Sequence, residues 1–303
     1  MKITILGNSS GGPFHGRHYT AQALQLDAHL FLIDCGEGTQ MQIHQHKVKA
    51  DRCKQLFITH LHGDHVFGLM GLITNWCLKK RETPLTLFSP PGLRELIETT
   101  IRVCGVKMTY PLEFVEVDAS VSHLAFENNQ LEVWTIPLNH RSPTSGWLFR
   151  EKPKPLNIRP EAIAEFNLEG NIEAFKAAKA GKDVVLPDGA VIPNAAITLP
   201  PLSLRSYAFC SDTAPSEKVI ETVRGVDLLY HEATFCDEHL EEAAISFHST
   251  ARQAAEVARA AGVGRLLLGH FSGRYTDETR HLAEAQEVFK ETFVGTEGSD
   301  WLI

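Results

Sequence analysis

The chain has 303 residues, of which 43% are hydrophobic and 22% charged, enough apolar content for a real core in one large domain or one domain carrying an insertion. No run of about 18 apolar residues occurs, which argues against a transmembrane helix, and MKITILGNSS lacks the apolar core and cleavage site of a signal peptide, so a cytoplasmic protein with no membrane partner is expected. The net charge of −8 disfavours a broadly basic nucleic-acid-binding face, although a local patch or bound divalent cations can set the field around a phosphate.

Short apolar runs predict strands at KITIL from Lys2, LFLID ending at Asp34, QLFIT ending at Thr59, LTLFS around Leu87 and LEVWTI around Trp134. Between them lie helix-like stretches: EGTQMQIHQH from Glu37, HVFGLMGLITNWCLKK from His65 and PGLRELIETTIRV from Pro91. From Glu151 to Leu202 the texture changes, with Pro153, Pro155, Pro160, Pro187, Pro193, Pro200 and Pro201, short helical candidates around Glu161 and Ile172, and a turn at LPDGA near Asp188. This segment, 151–202, is expected to be an inserted protruding arm of mixed charge on a single domain spanning 1–303. After Leu204 alternation returns with SYAFCSD, LLYHEAT, the helix STARQAAEVARAAG and RLLLGH, so both halves predict a layered α/β fold with sheets covered by helices and ligands at strand ends. Six scattered cysteines without a CxxC pair predict reduced, mostly buried thiols.

Metal-type ligands recur at the ends of these runs. ITHLHGDH places His60, His62, Asp64 and His65 together; IPLNHRS adds His140, AFCSDT adds Asp212 and LLLGHFS adds His270. Imidazole and carboxylate suit borderline cations such as zinc, and a carboxylate can bridge a pair of them. The set divides as His60, His62 and His140 for one metal, Asp64, His65 and His270 for the other, and Asp212 between them. A lone histidine is more often a solvated or hydrogen-bonded residue, and His15, His29, His44, His46, His123 and His281 are expected to be of that kind.

HxHxDH at His60 to His65 resembles the signature of the metallo-β-lactamase superfamily. GNSSGGPFHGRHYTA, LIDCGEGTQMQI, FITHLHGDHVFGLMGL, CSDT, HEATF from His231 and FHSTARQAAEVA from Phe247 resemble, more narrowly, the ribonuclease Z family within it, over essentially the whole chain. That resemblance implies a four-layer αββα sandwich and a metal-dependent endoribonuclease that removes 3′ trailers from precursor tRNA, leaving a 3′-hydroxyl on the tRNA. It implies two divalent ions, most often Zn2+, a homodimer, and an arm that grips tRNA. It gives Asp64 the part of ligand and proton acceptor, and makes His248, oriented by Glu232, the proton donor to the leaving group. His231 would at most orient a ligand. Two positions depart from the family pattern: His18 follows Arg17 where Asn is usual, and the arm's Gly-Pro motif is replaced near Glu169-Gly170-Asn171. The rival expectations are a superfamily hydrolase of a small phosphodiester, lactone or thioester, which would need neither the arm nor the HEATF and HST motifs, and an RNA-binding protein without turnover.

Overall fold

The computed structural model describes residues 1–303. Its main unit, Met1–Glu127, Glu132–Arg150 and Arg205–Ile303, is built on two seven-stranded sheets. In the first sheet, Lys2–Gly7, Ala21–Leu26 and His29–Ile33 run antiparallel, and Cys53–Phe57, Leu85–Ser89 and Leu112–Glu116 continue parallel from His29–Ile33. In the second, the hairpin strands Leu131–Pro137 and Ser145–Glu151 lead into parallel strands Ser206–Cys210, Leu228–Glu232, Arg265–Gly269 and Thr292–Val294. Parallel strands are buried on both faces, which is why LFLI from Leu30 and the LLL from Leu266 read as unbroken apolar runs rather than alternating ones.

Within such a run, alternate residues serve different layers. Phe31 and Phe57 face the second sheet, where Phe57 lies 5.0 Å from Trp147 and 5.4 Å from Phe149 between ring centroids. Leu30, Leu32 and Leu56 turn the other way, onto Ile43, Leu69, Leu72, Ile73 and Trp76 of the helices Thr39–Gln45 and Leu69–Leu78. The second sheet is covered in the same manner by Val219, Ala254, Ala258 and Ala285 from three further helices. The result is helix, sheet, sheet, helix. No helix is long and apolar enough to cross a membrane.

The predicted continuous helix from His65 is two helices, Gly63–Val66 and Leu69–Leu78. The interruption comes from tertiary packing: Gly68 donates to the Cys35 carbonyl at 2.9 Å, and a Cβ on Gly68 would lie 2.0 Å from the Gly36 oxygen. Helix Ala251–Ala261 starts where the sequence says it must. Thr250 and Gln253 form a reciprocal capping box, and Gly262, at φ 63°, ends the helix in the left-handed region.

The second unit comprises Asn128–Leu131 and Glu151–Leu204, so it includes a short piece that the composition shift at Glu151 did not reveal. It has its own small core of Ala162, Leu168, Ala174, Ala178, Val184, Ile192 and Ile197. Helix Pro160–Glu165 opens on proline, helix Ile172–Lys179 is capped by Asn171, which accepts from the Ala174 amide, and Asp188-Gly189 turns a hairpin between Val184–Val185 and Val191–Ile192.

Candidate metal centre

Parallel strands deliver their C-terminal ends to one edge of each sheet, and residues at or just beyond those ends make the site. Asp34 comes directly after His29–Ile33, His60 lies past the end of Cys53–Phe57, Asp212 past Ser206–Cys210, Glu232 ends Leu228–Glu232, and His270 comes directly after Arg265–Gly269. His140 comes from the turn between Leu131–Pro137 and Ser145–Glu151. Asp34, Asp212 and His270 have φ of 57°, 56° and 60°, left-handed values that each cost an L-residue about 1–2 kcal/mol and recur where a site imposes direction on a side chain.

All seven predicted ligands are brought together. One group unites His60, His62, His140 and Asp212, another Asp64, His65 and His270, with donor atoms in each group within 4.8 Å of one another. Asp212 faces both. Its Oδ2 lies 3.7 Å from His60 Nε2 and 4.0 Å from His140 Nε2, and its Oδ1 lies 3.0 Å from His65 Nε2 and 3.2 Å from His270 Nε2.

Whether a cation fits can be judged from the nitrogens. His60, His65 and His270 are buried, and the Nε2 of each has no hydrogen-bond partner despite the neighbouring carboxylate oxygens. Buried imidazole nitrogens that converge without bonding to one another cost free energy in an all-protein network, and a shared divalent cation satisfies them together. Burial pushes His60 and His140 below the usual imidazole range, which keeps their lone pairs available. Asp212 is also buried, which opposes ionisation, but His270, His65 and His60 override that and hold it well below the usual carboxylate range. A mixed imidazole and carboxylate donor set of this kind fits divalent metal binding.

The opposite ring nitrogens are fixed by groups that motif matching did not single out. Asp34, fully buried, accepts from the Thr59 amide at 2.8 Å and the Thr59 hydroxyl at 2.9 Å, and sits 2.8 Å from His65 Nδ1. Thr234 Oγ1 lies 2.6 Å from Glu232 Oε2 and 2.9 Å from His270 Nδ1. Since the carboxylate can only accept, the hydroxyl donates to Glu232 and receives the His270 Nδ1 proton, leaving His270 Nε2 free to ligate. Asp34 had a usable signal, a carboxylate closing an apolar run in LFLID. Thr59 and Thr234 had none beyond adjacency to the motifs. Asp34→Asn, which tolerates the left-handed backbone, is expected to weaken divalent-metal affinity about 10–100-fold, measured by competition with a chelating dye.

Beside the cluster stands an acid-base pair. Glu232 is buried and its oxygens accept from the Thr213 amide at 2.7 Å, the Ser249 amide at 3.1 Å and the Thr234 hydroxyl, with His248 Nδ1 2.7 Å from Oε1. Burial would lower the pKa of His248, but the Glu232 carboxylate reverses this and raises it to about 9. The carboxylate thus favours the imidazolium form of His248, whose side chain is 14% exposed and whose ring lies 5.2 Å from that of His140. Asp64 accepts from the Gly11 amide at 2.9 Å; burial opposes its ionisation, yet the neighbouring His270 and His65 rings keep it ionised. His231 belongs to none of these groups: it is buried, with Nδ1 2.8 Å from the Glu232 carbonyl oxygen. The lone histidines named from sequence also lie outside the cluster, His281 being packed between the rings of Phe271 and Tyr275, and so does His18, which is paired with Glu297 at 2.8 Å.

Comparison with known proteins agrees with this geometry. The family model described as Anti-Pycsar protein Apyc1 matches residues 1–145, the half containing HxHxDH. Ribonuclease Z of Bacteroides fragilis is 41% identical over 297 residues, 98% of this chain and 97% of that protein, and ribonuclease Z of Porphyromonas gingivalis is 41% identical over the same shares. Human tRNase Z, short form, superposes with a TM-score of 0.71 at 25% identity, covering 100% of this chain and 99% of its own. The metallo-β-lactamase fold protein YhfI of Bacillus subtilis gives 0.69 at 17% identity over 99% of both chains, a likeness of fold. Two sheets flanked by helices, a His and Asp cluster at their strand ends, and identity sustained along 98% of the chain place it in one group: the chain belongs to the ribonuclease Z family of metallo-β-lactamase-fold hydrolases.

Proposed function

We propose that the protein is an endoribonuclease that removes the 3′ trailer from precursor tRNA by phosphodiester hydrolysis, leaving a 3′-hydroxyl on the tRNA. The observation that carries this reading is the Glu232–His248 pair beside the metal cluster, 2.7 Å from carboxylate to imidazole, in a chain of this family. A leaving 3′-oxygen needs a proton at physiological pH, and an imidazolium held in place by a buried carboxylate supplies it.

His60, His62 and His140 would hold one divalent ion, Asp64, His65 and His270 the other, with Asp212 shared; zinc suits this donor set best. When bound, such a pair supplies Lewis acidity toward the phosphate oxygens and lowers the pKa of water. The rest of the chemistry belongs to the chain. Asp64, its Oδ2 fixed by Gly11 N–H, orients the attacking water and receives its proton. His248 gives its Nε2 proton to the departing oxygen, and Glu232 stabilises the charge on the ring before that step. The unit containing Glu151–Leu204 is assigned contact with the tRNA body, which RNA-binding surfaces recognise by shape and phosphates. The working form is a cytoplasmic homodimer, since closed two-fold pairs are the commonest oligomers.

The test is incubation of purified, metal-loaded protein with a 3′-extended precursor tRNA, with product ends mapped. Cutting beside the discriminator nucleotide, with a 3′-hydroxyl on the tRNA fragment, is the expected result. Intact precursor alongside hydrolysis of a small diester or an ester would overturn the ribonuclease assignment and favour a small-substrate hydrolase.

A further inference from the structure

Most aromatic side chains in this protein are buried or half-buried. Of the 16 Phe, 4 Trp and 5 Tyr, only Phe14, Phe67 and Phe247 are exposed, at 50%, 66% and 37%. None of the three is elsewhere than beside the site. Phe14 lies three residues after Gly11, whose amide binds Asp64, and its ring rests on Gly12 and on Gly273, where a Cβ would come within 2.3 and 2.1 Å of it. Gly273 itself is three residues past His270. Phe67 is two residues past His65, its ring against Gly63 inside the HxHxDH loop, where a Cβ would come within 2.4 Å. Phe247 immediately precedes His248, and its carbonyl is 3.1 Å from His140 Nδ1.

Phe247 also has φ 61° and ψ 44°, a conformation that a bulky L-residue adopts only under strain. Neither core packing nor glycine-like backbone economy explains a phenylalanine there, since more than a third of the residue remains open to solvent. The guanidinium of the exposed Arg141 lies 5.9 Å from its centroid, so a cation stands next to the ring. Exposed aromatic faces beside cationic groups are what unpaired nucleic-acid bases bind, because every base offers a π-face whatever its sequence. A duplex base pair would not reach such rings, whereas the nucleotides flanking a single-stranded cut site would.

We infer that Phe14, Phe67 and Phe247 form a rim of stacking platforms for the unpaired bases on either side of the scissile phosphodiester; this deepens, and rests on, the endonuclease function proposed above. The rim sets where the strand is held and is indifferent to which bases it carries.

The experiment is a cycle between protein and RNA. Binding of a cleavage-blocked precursor tRNA to the metal-loaded protein is measured by fluorescence anisotropy for wild type, Phe247→Leu and Phe67→Leu, each with normal RNA and with RNA made abasic at one nucleotide next to the cut site. An abasic nucleotide opposite a platform should weaken wild-type binding about tenfold, and should cost nothing further in the variant lacking that platform. Phe247→Tyr and Phe67→Tyr should restore the base dependence, and 2-aminopurine at the same nucleotide should be quenched by wild type and not by the leucine variants. Wild-type binding that ignores the abasic change, or losses that simply add, would overturn the stacking rim while leaving the nuclease standing. Failure of wild type to bind the intact precursor would overturn both. Dissociation of an oligomer by Phe67→Leu without any base dependence would assign that ring to self-association and remove it from the rim.

Discussion

Asp212→Ala is expected to lower precursor cleavage by about three to four orders of magnitude, and to leave the purified protein depleted of divalent metal. The carboxylate is the one group that faces both halves of the cluster, with Oδ1 toward His65 and His270 and Oδ2 toward His60 and His140. A metal contribution of several kcal/mol to transition-state stabilisation corresponds to that loss in rate. Alanine also has to occupy φ 56°, so part of any stability change would be backbone strain rather than lost ligation. Asp212→Asn separates the two, because asparagine tolerates the left-handed region and keeps the size while losing the charge. The expected order is therefore near-equal loss of metal and activity in both variants, with the larger fall in melting temperature for alanine. Metal content from elemental analysis and single-turnover cleavage decide it. An Asp212→Asn protein that retained both ions and wild-type kcat would show that the shared carboxylate is not a ligand.

Much of this arrangement is legible along the chain because strand ends and metal ligands coincide in sequence. His60, Asp212 and His270 each close an apolar run, so finding the runs also found the residues. The capping box at Thr250 and Gln253 is equally local, and it fixes the start of the helix directly after His248. What sequence periodicity could not supply are effects decided by distant partners. The helix break at Phe67-Gly68 exists because Gly68 packs on Gly36, more than thirty residues earlier, and nothing in HVFGLMGL signals it. The same holds for Thr234, whose role depends on His270 arriving 2.9 Å away from a neighbouring strand, and for Asn128–Leu131, which joins the second unit from across a hairpin. The left-handed backbone at Asp34, Asp212 and His270 was invisible for another reason: sequence suggests positive φ chiefly through glycine, and these are not glycines.

His248→Ala is expected to reduce kcat for precursor cleavage about 10²–10⁴-fold while metal content and precursor affinity stay close to wild type, because the ring acts on the departing oxygen rather than on the ions. The sign of the pH effect is set by the pair. An acid must hold its proton to work, and Glu232 keeps the His248 proton on to higher pH than a free imidazole would, overcoming the burial that favours the neutral ring. Wild-type kcat should accordingly fall as pH rises through the His248 pKa, and that alkaline limb should vanish in His248→Ala. Glu232→Gln should cost a similar factor in kcat together with stability. The buried carboxylate accepts from three amides, a hydroxyl and the imidazole, and a glutamine amide would point N–H groups at donors, a mismatch of about 1–3 kcal/mol per unsatisfied group. If Glu232 works through His248, the double variant should be scarcely slower than His248→Ala alone; full additivity of the two losses would mean that the carboxylate serves the fold and the histidine acts without it.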